Sequence, residues 1–193
     1  MNHKGQYKTG YIINSKDYSN TSSIITIFSQ DCIKTAIVKG GRSKLKMSSC
    51  QIANKVSFCH FGKEESLGIF AIEPIAKPLS INIENANIII SLFAACELVY
   101  NLISESFGEY NQVYKVFEEF IFTACSTNKH MHDIIAGFCT LESIIMQNCG
   151  FFNNSQNKKC IKSSYQNLLQ CLKNIDVCSS RFLARSQLNQ IIF

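Results

Sequence analysis

The sequence predicts an α+β chain in which a small β-barrel precedes an all-helical domain. Short β-branched and aromatic runs, separated by turns, fill the first 78 residues, which is typical of a small all-β domain. Beyond them, apolar residues recur at three- and four-residue steps, the period of amphipathic helices. The two prolines, Pro74 and Pro78, lie at this transition. Because proline lacks an N–H and restricts its predecessor, we expect the sheet to end there, and we place the domains at 1–78 and 79–193.

Five strands are expected in the first domain, with turn residues such as Gly40-Gly41 between them. They are Tyr7–Ile13, Ser23–Phe28, Ile33–Val38, Ile52–Phe61 and Leu67–Ile72. Five short strands at this spacing favour a small closed barrel such as an OB-fold. An SH3-like barrel would give a similar pattern, so the strand spacing alone leaves both architectures open.

Five helices are expected in the second domain, each with an apolar stripe on one face. They lie at about 88–103, 113–124, 134–145, 164–172 and 180–192. Gly150 is suited to the position after the third helix, where a left-handed residue often ends a helix. Ser164 is a good N-cap for the fourth helix. The second domain is therefore predicted to be a helical bundle.

The basic charge of the chain is confined to the predicted barrel. The formal net charge is +5, but residues 1–78 hold eleven Lys and Arg against five Asp and Glu, whereas residues 79–193 hold eight against nine. From Cys32 to Lys63 there are seven basic residues and no acidic one. A one-sided positive field of this kind attracts polyanions such as nucleic acids.

The segment Lys39-Gly-Gly-Arg-Ser-Lys-Leu-Lys46 is the leading candidate for a binding site. Two glycines allow the backbone to turn sharply and to approach a ligand closely. Lys39, Arg42, Lys44 and Lys46 would then project from a strand and its following loop, where they could follow a phosphate backbone. The alternative is a solvated, lysine-rich hairpin that has no partner.

Three tyrosines near the basic segment, Tyr7, Tyr11 and Tyr18, are candidates for stacking on nucleobases. The alternative is that they belong to the core, which is the more frequent place for a tyrosine in a strand. The sequence favours the core without separating the three residues.

The sequence gives no support for an enzyme, a metal site or a cofactor. No glycine precedes Gly62-Lys63 at the spacing of a Walker motif, and no Gly-x-Ser-x-Gly elbow occurs. His130, His132 and Asp133 have metal-binding side chains, but nothing nearby completes a ligand set. We therefore expect a protein that has no catalytic residues, no metal and no cofactor.

The ten cysteines are expected to be reduced and structural. No two of them are separated by only two residues, so the close ligand pairs of a zinc ribbon are absent. No apolar segment of a secretory signal follows the first residues, and the longest apolar run, Ile88–Cys96, is far shorter than the ~20 residues that span a membrane. We expect a cytoplasmic protein without membrane contact.

Three blocks of the first domain resemble the N-terminal domain of the RecO family of bacterial DNA repair proteins. The blocks are Ser15–Phe28, Val38–Ser43 and Leu67–Pro74, and their mutual spacing is also that of the family. Asn20 stands where the family usually has Glu, while Thr21 and Ser22 fit. The resemblance continues through three helical segments, 82–103, 110–126 and 141–151, and so covers almost the whole chain.

The resemblance implies an OB-fold that binds single- and double-stranded DNA and anneals complementary strands. It also implies a helical domain that docks the tail of single-stranded-DNA-binding protein, a partnership with RecR, indirect help in loading RecA, and association with the nucleoid. By position, Lys39 and Arg42 match the family's DNA-contacting motif. Lys44 and Lys46 extend this motif, and Lys34 lies in the same strand.

The chain departs from the family in its second domain. Thr140 replaces an arginine of the family, which removes a natural partner for an acidic tail and argues against docking of single-stranded-DNA-binding protein. Cys160 stands at the first position of a four-cysteine zinc module whose other positions are missing. Arg181–Arg185 resembles the closing helix, and we interpret the chain as a shortened form. Two other functions remain open: a RecR-binding adaptor with weak DNA binding, and an OB-fold RNA-binding module.

Overall fold

Five strands and three helices form the regular elements of the part of the chain that the computed structural model describes. This part comprises residues 6–44, 46–63, 66–75, 85–103, 110–126, 130–149 and 187. The chain divides into two units, Met1–Glu84 and Asn85–Phe193. The predictions outside the described residues are the boundary near Pro78, the helices at 164–172 and 180–192 (apart from residue 187), the helix end at Gly150, and the resemblances of Cys160 and Arg181–Arg185.

The first unit is a closed five-stranded barrel. The strands are β1 (Lys8–Asp17), β2 (Ser23–Ser29), β3 (Ile33–Val38), β4 (Lys55–Phe61) and β5 (Ile69–Pro74). They close in the order β1-β2-β3-β5-β4. The β3–β5 pairing, Ile37 with Ile69, is parallel, and the other pairings are antiparallel. A five-stranded Greek-key barrel closed in this order is an OB-fold, so the prediction of a small barrel followed by helices is confirmed.

Alternating apolar side chains fill the interior of the barrel, because successive residues of a strand point to opposite faces of the sheet. The core contains Ile12, Ile25, Ile27, Ala36, Val38, Cys50, Val56, Phe58, Phe70 and Ile72. Strand β1 pairs with both β2 and β4, and its register with β2 shifts between Ile12 and Asn14. Such a bulge bends a strand and increases its twist, which helps a small sheet to close.

Two strand boundaries differ from the sequence prediction by three residues or more. Strand β1 continues to Asp17, four residues beyond the predicted end, because it stays paired with β2. Strand β4 begins at Lys55, three residues later than predicted. The residues before it form a turn in which Ala53 has a positive φ of 70° and its N–H donates to the Ile12 carbonyl oxygen at 2.7 Å.

The second unit contains three described helices, α1 (Ala86–Leu102), α2 (Tyr110–Cys125) and α3 (Met131–Asn148). Asn85 caps α1, since its Oδ1 accepts a hydrogen bond from Asn87 N at 2.9 Å. At the start of α3, the Asp133 carboxylate accepts from His130 N at 3.3 Å. The rings of Phe120 and Phe138 pack edge to face between α2 and α3. None of the described helices is long and apolar enough to cross a membrane.

Alanine at Gly68 is expected to destabilise the barrel more than alanine at Gly40. Both glycines have a positive φ, 57° and 70°, so each substitution carries a left-handed penalty of roughly 1–2 kcal/mol. A Cβ at Gly68 would also collide with His60 Nε2 and lie 2.9 Å from the Phe61 carbonyl oxygen, whereas at Gly40 the nearest atom, Ser43 Oγ, is 3.9 Å away.

We expect Gly68→Ala to lower the free energy of unfolding, measured by urea titration, by about 1–3 kcal/mol more than Gly40→Ala. An equal loss of unfolding free energy in the two variants would contradict this account, because it would mean that the close contacts at Gly68 add nothing to the backbone penalty that both variants share.

Candidate nucleic-acid interface

The described residues of the β3–β4 loop, 39–44 and 46–54, form consecutive hydrogen-bonded turns. The Ser43 carbonyl oxygen accepts hydrogen bonds from Lys46 N at 3.0 Å and from Met47 N at 2.8 Å. The Lys46 carbonyl oxygen in turn accepts from Ser49 N at 2.9 Å and from Cys50 N at 3.1 Å. These bonds restrict the backbone that carries the basic residues, so their side chains start from defined positions.

Three contacts anchor the β3–β4 loop to the barrel. The Cys50 side chain is part of the barrel core. Ala53 N donates to the Ile12 carbonyl oxygen at 2.7 Å, and Ile12 N donates to the Asn54 carbonyl oxygen at 3.0 Å. Within the loop, Asn54 Nδ2 donates to the Ser48 carbonyl oxygen at 2.6 Å. Burial raises the pKa of the Cys50 thiol, and the positive charge of Lys46 offsets part of this rise. The thiol therefore stays neutral at physiological pH and acts as an apolar plug beneath the loop.

Gly41 serves the packing of this loop against the barrel. A Cβ at this position would lie 3.2 Å from Ser23 Oγ, 3.2 Å from the Val38 carbonyl oxygen and 3.3 Å from Cys50 Sγ. We expected the glycine pair to permit a close approach to a ligand. At Gly41 the close approach is to the protein itself.

Three lysines form the basic rim of the barrel, a name used below for Lys39, Lys44 and Lys46. All three side chains are exposed and belong to the β3–β4 loop. Within the described ranges, no carboxylate forms an ion pair with any of them. Their charges therefore remain available at one end of the barrel.

Arg42 lies in the same loop but has partners. Its Nη2 forms an ion pair with Asp17 Oδ2 at 3.2 Å, and its Nη1 donates to the Ser19 carbonyl oxygen at 2.9 Å. Its backbone N–H donates to the Thr21 carbonyl oxygen at 3.2 Å. Arg42 therefore connects the β3–β4 loop to the β1–β2 turn, and Asp17 neutralises part of its charge.

Lys34 lies at the opposite end of β3 from Lys39. Five residues separate them along the strand, which corresponds to roughly 16 Å at about 3.3 Å per residue. Lys34 is half-buried and has the same strand parity as the interior residue Ala36. The structure thus brings Lys39, Arg42, Lys44 and Lys46 into one loop and places Lys34 apart from them.

Part of the outer face of β2 and β3 is buried in this structure. Thr26, Phe28 and Ile33 point away from the barrel interior, yet all three are buried, and Phe28 is 0% exposed. The hydroxyl groups of Thr26 and Thr35 are hydrogen-bonded to each other at 2.9 Å. OB-folds commonly bind oligonucleotides on this face and on adjacent loops. The lysines of the basic rim are more exposed than these three residues.

The sequence of the barrel matches the family model described as the N-terminal domain of recombination protein O, over residues 4–77. The first unit is therefore similar to the N-terminal domain of the RecO family. This family consists of recombination mediators with a role in DNA repair and recombination. The match ends before the helices, so the resemblance of the second unit remains a prediction. No curated protein matches the chain.

The three candidate tyrosines fall into two groups. Tyr11 is buried, and Lys55 Nζ lies 5.5 Å from the centre of its ring, so the expectation of a core role is met for this residue. Tyr7 and Tyr18 are 53% and 57% exposed. Tyr18 belongs to the β1–β2 turn that Arg42 holds, whereas Tyr7 precedes β1 at the other end of the barrel.

His60 is a further candidate residue that sequence reasoning missed. Its half-buried ring lies edge to face with Phe70 at 5.6 Å, and its Nε2 is buried with no hydrogen-bond partner among the described residues. Burial makes the largest contribution to lowering the pKa of His60, and the positive charge of Lys34 lowers it further. A hydrogen bond with the backbone of Leu67 raises the pKa and so opposes both effects. The available signal in the sequence was the alternation of β4, which places His60 on the same face of the strand as the interior residues Val56 and Phe58.

No cluster of three or more metal-binding side chains occurs within the described residues. Among the histidines considered from the sequence, His130 stands at the N-cap of α3 and Asp133 lies in the first turn. The described cysteines are free thiols, and burial raises the pKa of Cys125 to about 11.

The substitution Lys34→Met is expected to raise the pKa of His60, because it removes a positive charge that disfavours the imidazolium form. NMR titration of the histidine ring protons would measure this pKa. Lys16→Met is the matched control. It removes an exposed lysine near the C-terminal end of β1, whereas the N-terminal half of β1 pairs with β4, the strand that contains His60. An unchanged pKa of His60 in Lys34→Met, or an equal rise in both variants, would contradict the proximity of Lys34 to this ring.

The same pKa gives the sign of a pH effect on stability. The folded protein holds the pKa of His60 below its ordinary value of 6.5, so the unfolded chain takes up the proton first on acidification. The stabilising contribution is present above this ordinary value and is lost as pH falls toward the folded pKa. His60→Gln should reduce this part of the pH dependence in urea titrations between about pH 7.5 and 5.

Proposed function

We propose that this chain is a RecO-type, non-catalytic DNA repair factor that binds single- and double-stranded DNA through phosphate groups and anneals complementary strands. One observation carries the proposal: the basic rim presents three exposed lysines without carboxylate partners on an anchored loop of an OB-fold. Lysine binds phosphate as a point charge and does not read bases, so binding should tolerate any sequence.

Arg42 has a different role in this proposal from the one expected from sequence. Its contacts to Asp17 and Ser19 make it a positioning residue that fixes the loop bearing the basic rim. The ion pair with Asp17 is substantially exposed, and such pairs contribute about 0–1 kcal/mol. A phosphate can therefore replace the carboxylate at small cost, after which Arg42 contacts DNA as the family resemblance implies.

Lys34 extends the proposed site only for a nucleic acid that runs along the barrel. At roughly 16 Å from Lys39 along β3, it does not contact the phosphates held by the basic rim. Lys34→Ala should therefore affect long strands more than short ones.

Annealing follows from neutralisation of phosphate charge. A duplex carries one negative charge per about 1.7 Å of its axis, so two complementary strands repel each other before they pair. Lysines that neutralise the phosphates of both strands lower this repulsion. An assay that follows the fluorescence of two labelled complementary strands, with and without the protein, tests this step directly.

The protein partners belong to the same proposal. We infer RecR as the partner and RecA loading as the indirect outcome from the family of the barrel. Docking of single-stranded-DNA-binding protein is disfavoured at Thr140, because this exposed residue supplies no cation and its hydroxyl donates to the Ala136 carbonyl oxygen of its own helix at 2.9 Å. Coating the strands with single-stranded-DNA-binding protein in the annealing assay should therefore inhibit annealing.

Single alanine substitutions at Lys39, Lys44 and Lys46 should each weaken DNA binding to a similar extent for all sequences. If each lysine neutralises one phosphate, log affinity for single strands falls with log salt at a slope of roughly −2 for the three contacts, and each substitution reduces the slope by about 0.7. Fluorescence anisotropy at several salt concentrations measures both quantities. Lys115→Ala, which removes an exposed lysine of α2, is the matched control.

An unchanged titration in the triple variant would exclude the basic rim from the binding site. Negligible DNA binding by the wild-type protein, with RecR still co-purifying, would favour the adaptor. Preference for structured RNA over single-stranded DNA would favour the RNA-binding module.

A further inference from the structure

Tyr18 projects from a turn that hydrogen bonds hold in one conformation. Tyr18 N and Ser19 N both donate to the Ser22 carbonyl oxygen, at 3.0 and 3.1 Å. Ser19 Oγ accepts from Ser22 N at 3.1 Å and from Thr21 N at 3.4 Å. The turn is therefore stabilised without the ring of Tyr18, and 57% of this residue is exposed.

Arg42 holds the residues on both sides of Tyr18. Its guanidinium contacts the carboxylate of Asp17 and the carbonyl oxygen of Ser19. These contacts place the tyrosine beside the β3–β4 loop, at the same end of the barrel as the basic rim. An exposed tyrosine and three exposed lysines without carboxylate partners among the described residues thus lie at the same end of the barrel.

We infer that Tyr18 stacks on an unpaired nucleobase of a strand whose phosphates the basic rim holds, and that it thereby gives this surface a preference for single strands over duplex. The inference rests on the proposed function and adds the ligand's chemical class. Lysines attract the phosphates of both forms. A tyrosine face is accessible only to a base that has left the duplex stack, and base–aromatic stacking is sequence-tolerant.

Tyr7 provides a matched comparison because it is the same residue type and is 53% exposed. It lies at the other end of the barrel, next to Lys8, whose ammonium group pairs with Asp31 Oδ2 at 3.1 Å. The two tyrosines therefore differ in their surroundings and hardly in their exposure. Of the two, Tyr18 lies at the end of the barrel that carries the basic rim.

The test compares the full-length wild-type protein with Tyr18→Ala, Tyr18→Phe and Tyr7→Ala. The ligands are an oligothymidylate, an abasic deoxyribose-phosphate strand of the same length, and a duplex. We expect Tyr18→Ala to weaken binding of the oligothymidylate by about fivefold to a hundredfold and to leave the other two affinities unchanged. Tyr18→Phe should keep wild-type affinity, because it keeps the ring, and Tyr7→Ala should behave as wild type.

Three outcomes overturn the inference while the proposed function stands: an unchanged affinity of Tyr18→Ala for oligothymidylate, an equal loss on the abasic strand, or an equal loss in Tyr7→Ala. The second of these would indicate a structural effect on the basic rim. Failure of the wild-type protein to bind any of the three ligands would overturn the proposed function as well.

Fluorescence supplies a second readout, since the chain contains no tryptophan. Tyr18→Trp introduces a single indole at the proposed stacking position, and Tyr7→Trp introduces one at the control position. We expect oligothymidylate to quench the fluorescence of Tyr18→Trp and the abasic strand to leave it unchanged. Quenching of Tyr7→Trp to the same degree, or no quenching of Tyr18→Trp under saturating oligothymidylate, would contradict stacking at Tyr18.

Discussion

One guanidinium connects the two loops on which the proposed binding surface depends. Arg42 donates to the carbonyl oxygen of Ser19 and pairs with the carboxylate of Asp17, while its own backbone belongs to the β3–β4 loop. Both contacts cross from one loop to another. Arginine suits this position because its planar fork donates in two directions at once, which the single ammonium group of lysine does less well.

The division of labour among the basic residues follows from this arrangement. Asp17 neutralises part of the charge of Arg42, whereas no described carboxylate pairs with the three lysines of the basic rim. A surface of this kind combines a fixed backbone with long, flexible side chains. The backbone is held by Cys50, Ala53 and Asn54, so the electrostatic field has a definite location even though each ammonium group can move.

Local patterning predicted most of the barrel, because alternation in a strand is a property of neighbouring residues. The five strands follow from it, and the grouping of Lys39, Lys44 and Lys46 follows from their nearness in sequence. The ion pair of Arg42 could not be predicted in this way, since Asp17 lies 25 residues upstream and meets Arg42 only in the folded barrel.

The position of Lys34 could not be predicted from its nearness in sequence to Lys39. Five residues is a short separation in sequence, but in a strand it is a long distance in space, so one basic segment does not form one surface. His60 was not singled out from the sequence, although its parity with Phe58 places it on the inner side of β4.

The contact between Gly41 and Cys50 ties the surface charge to the interior. Because glycine has no side chain, Gly41 leaves room for Cys50 Sγ, which would lie only 3.3 Å from a Cβ added at Gly41. A larger side chain at Gly41 would therefore require the sulfur atom, or the turn that carries the lysines, to shift by a few tenths of an ångström. Through this contact, a change that adds or removes no charge can still alter the affinity of the loop for a polyanion.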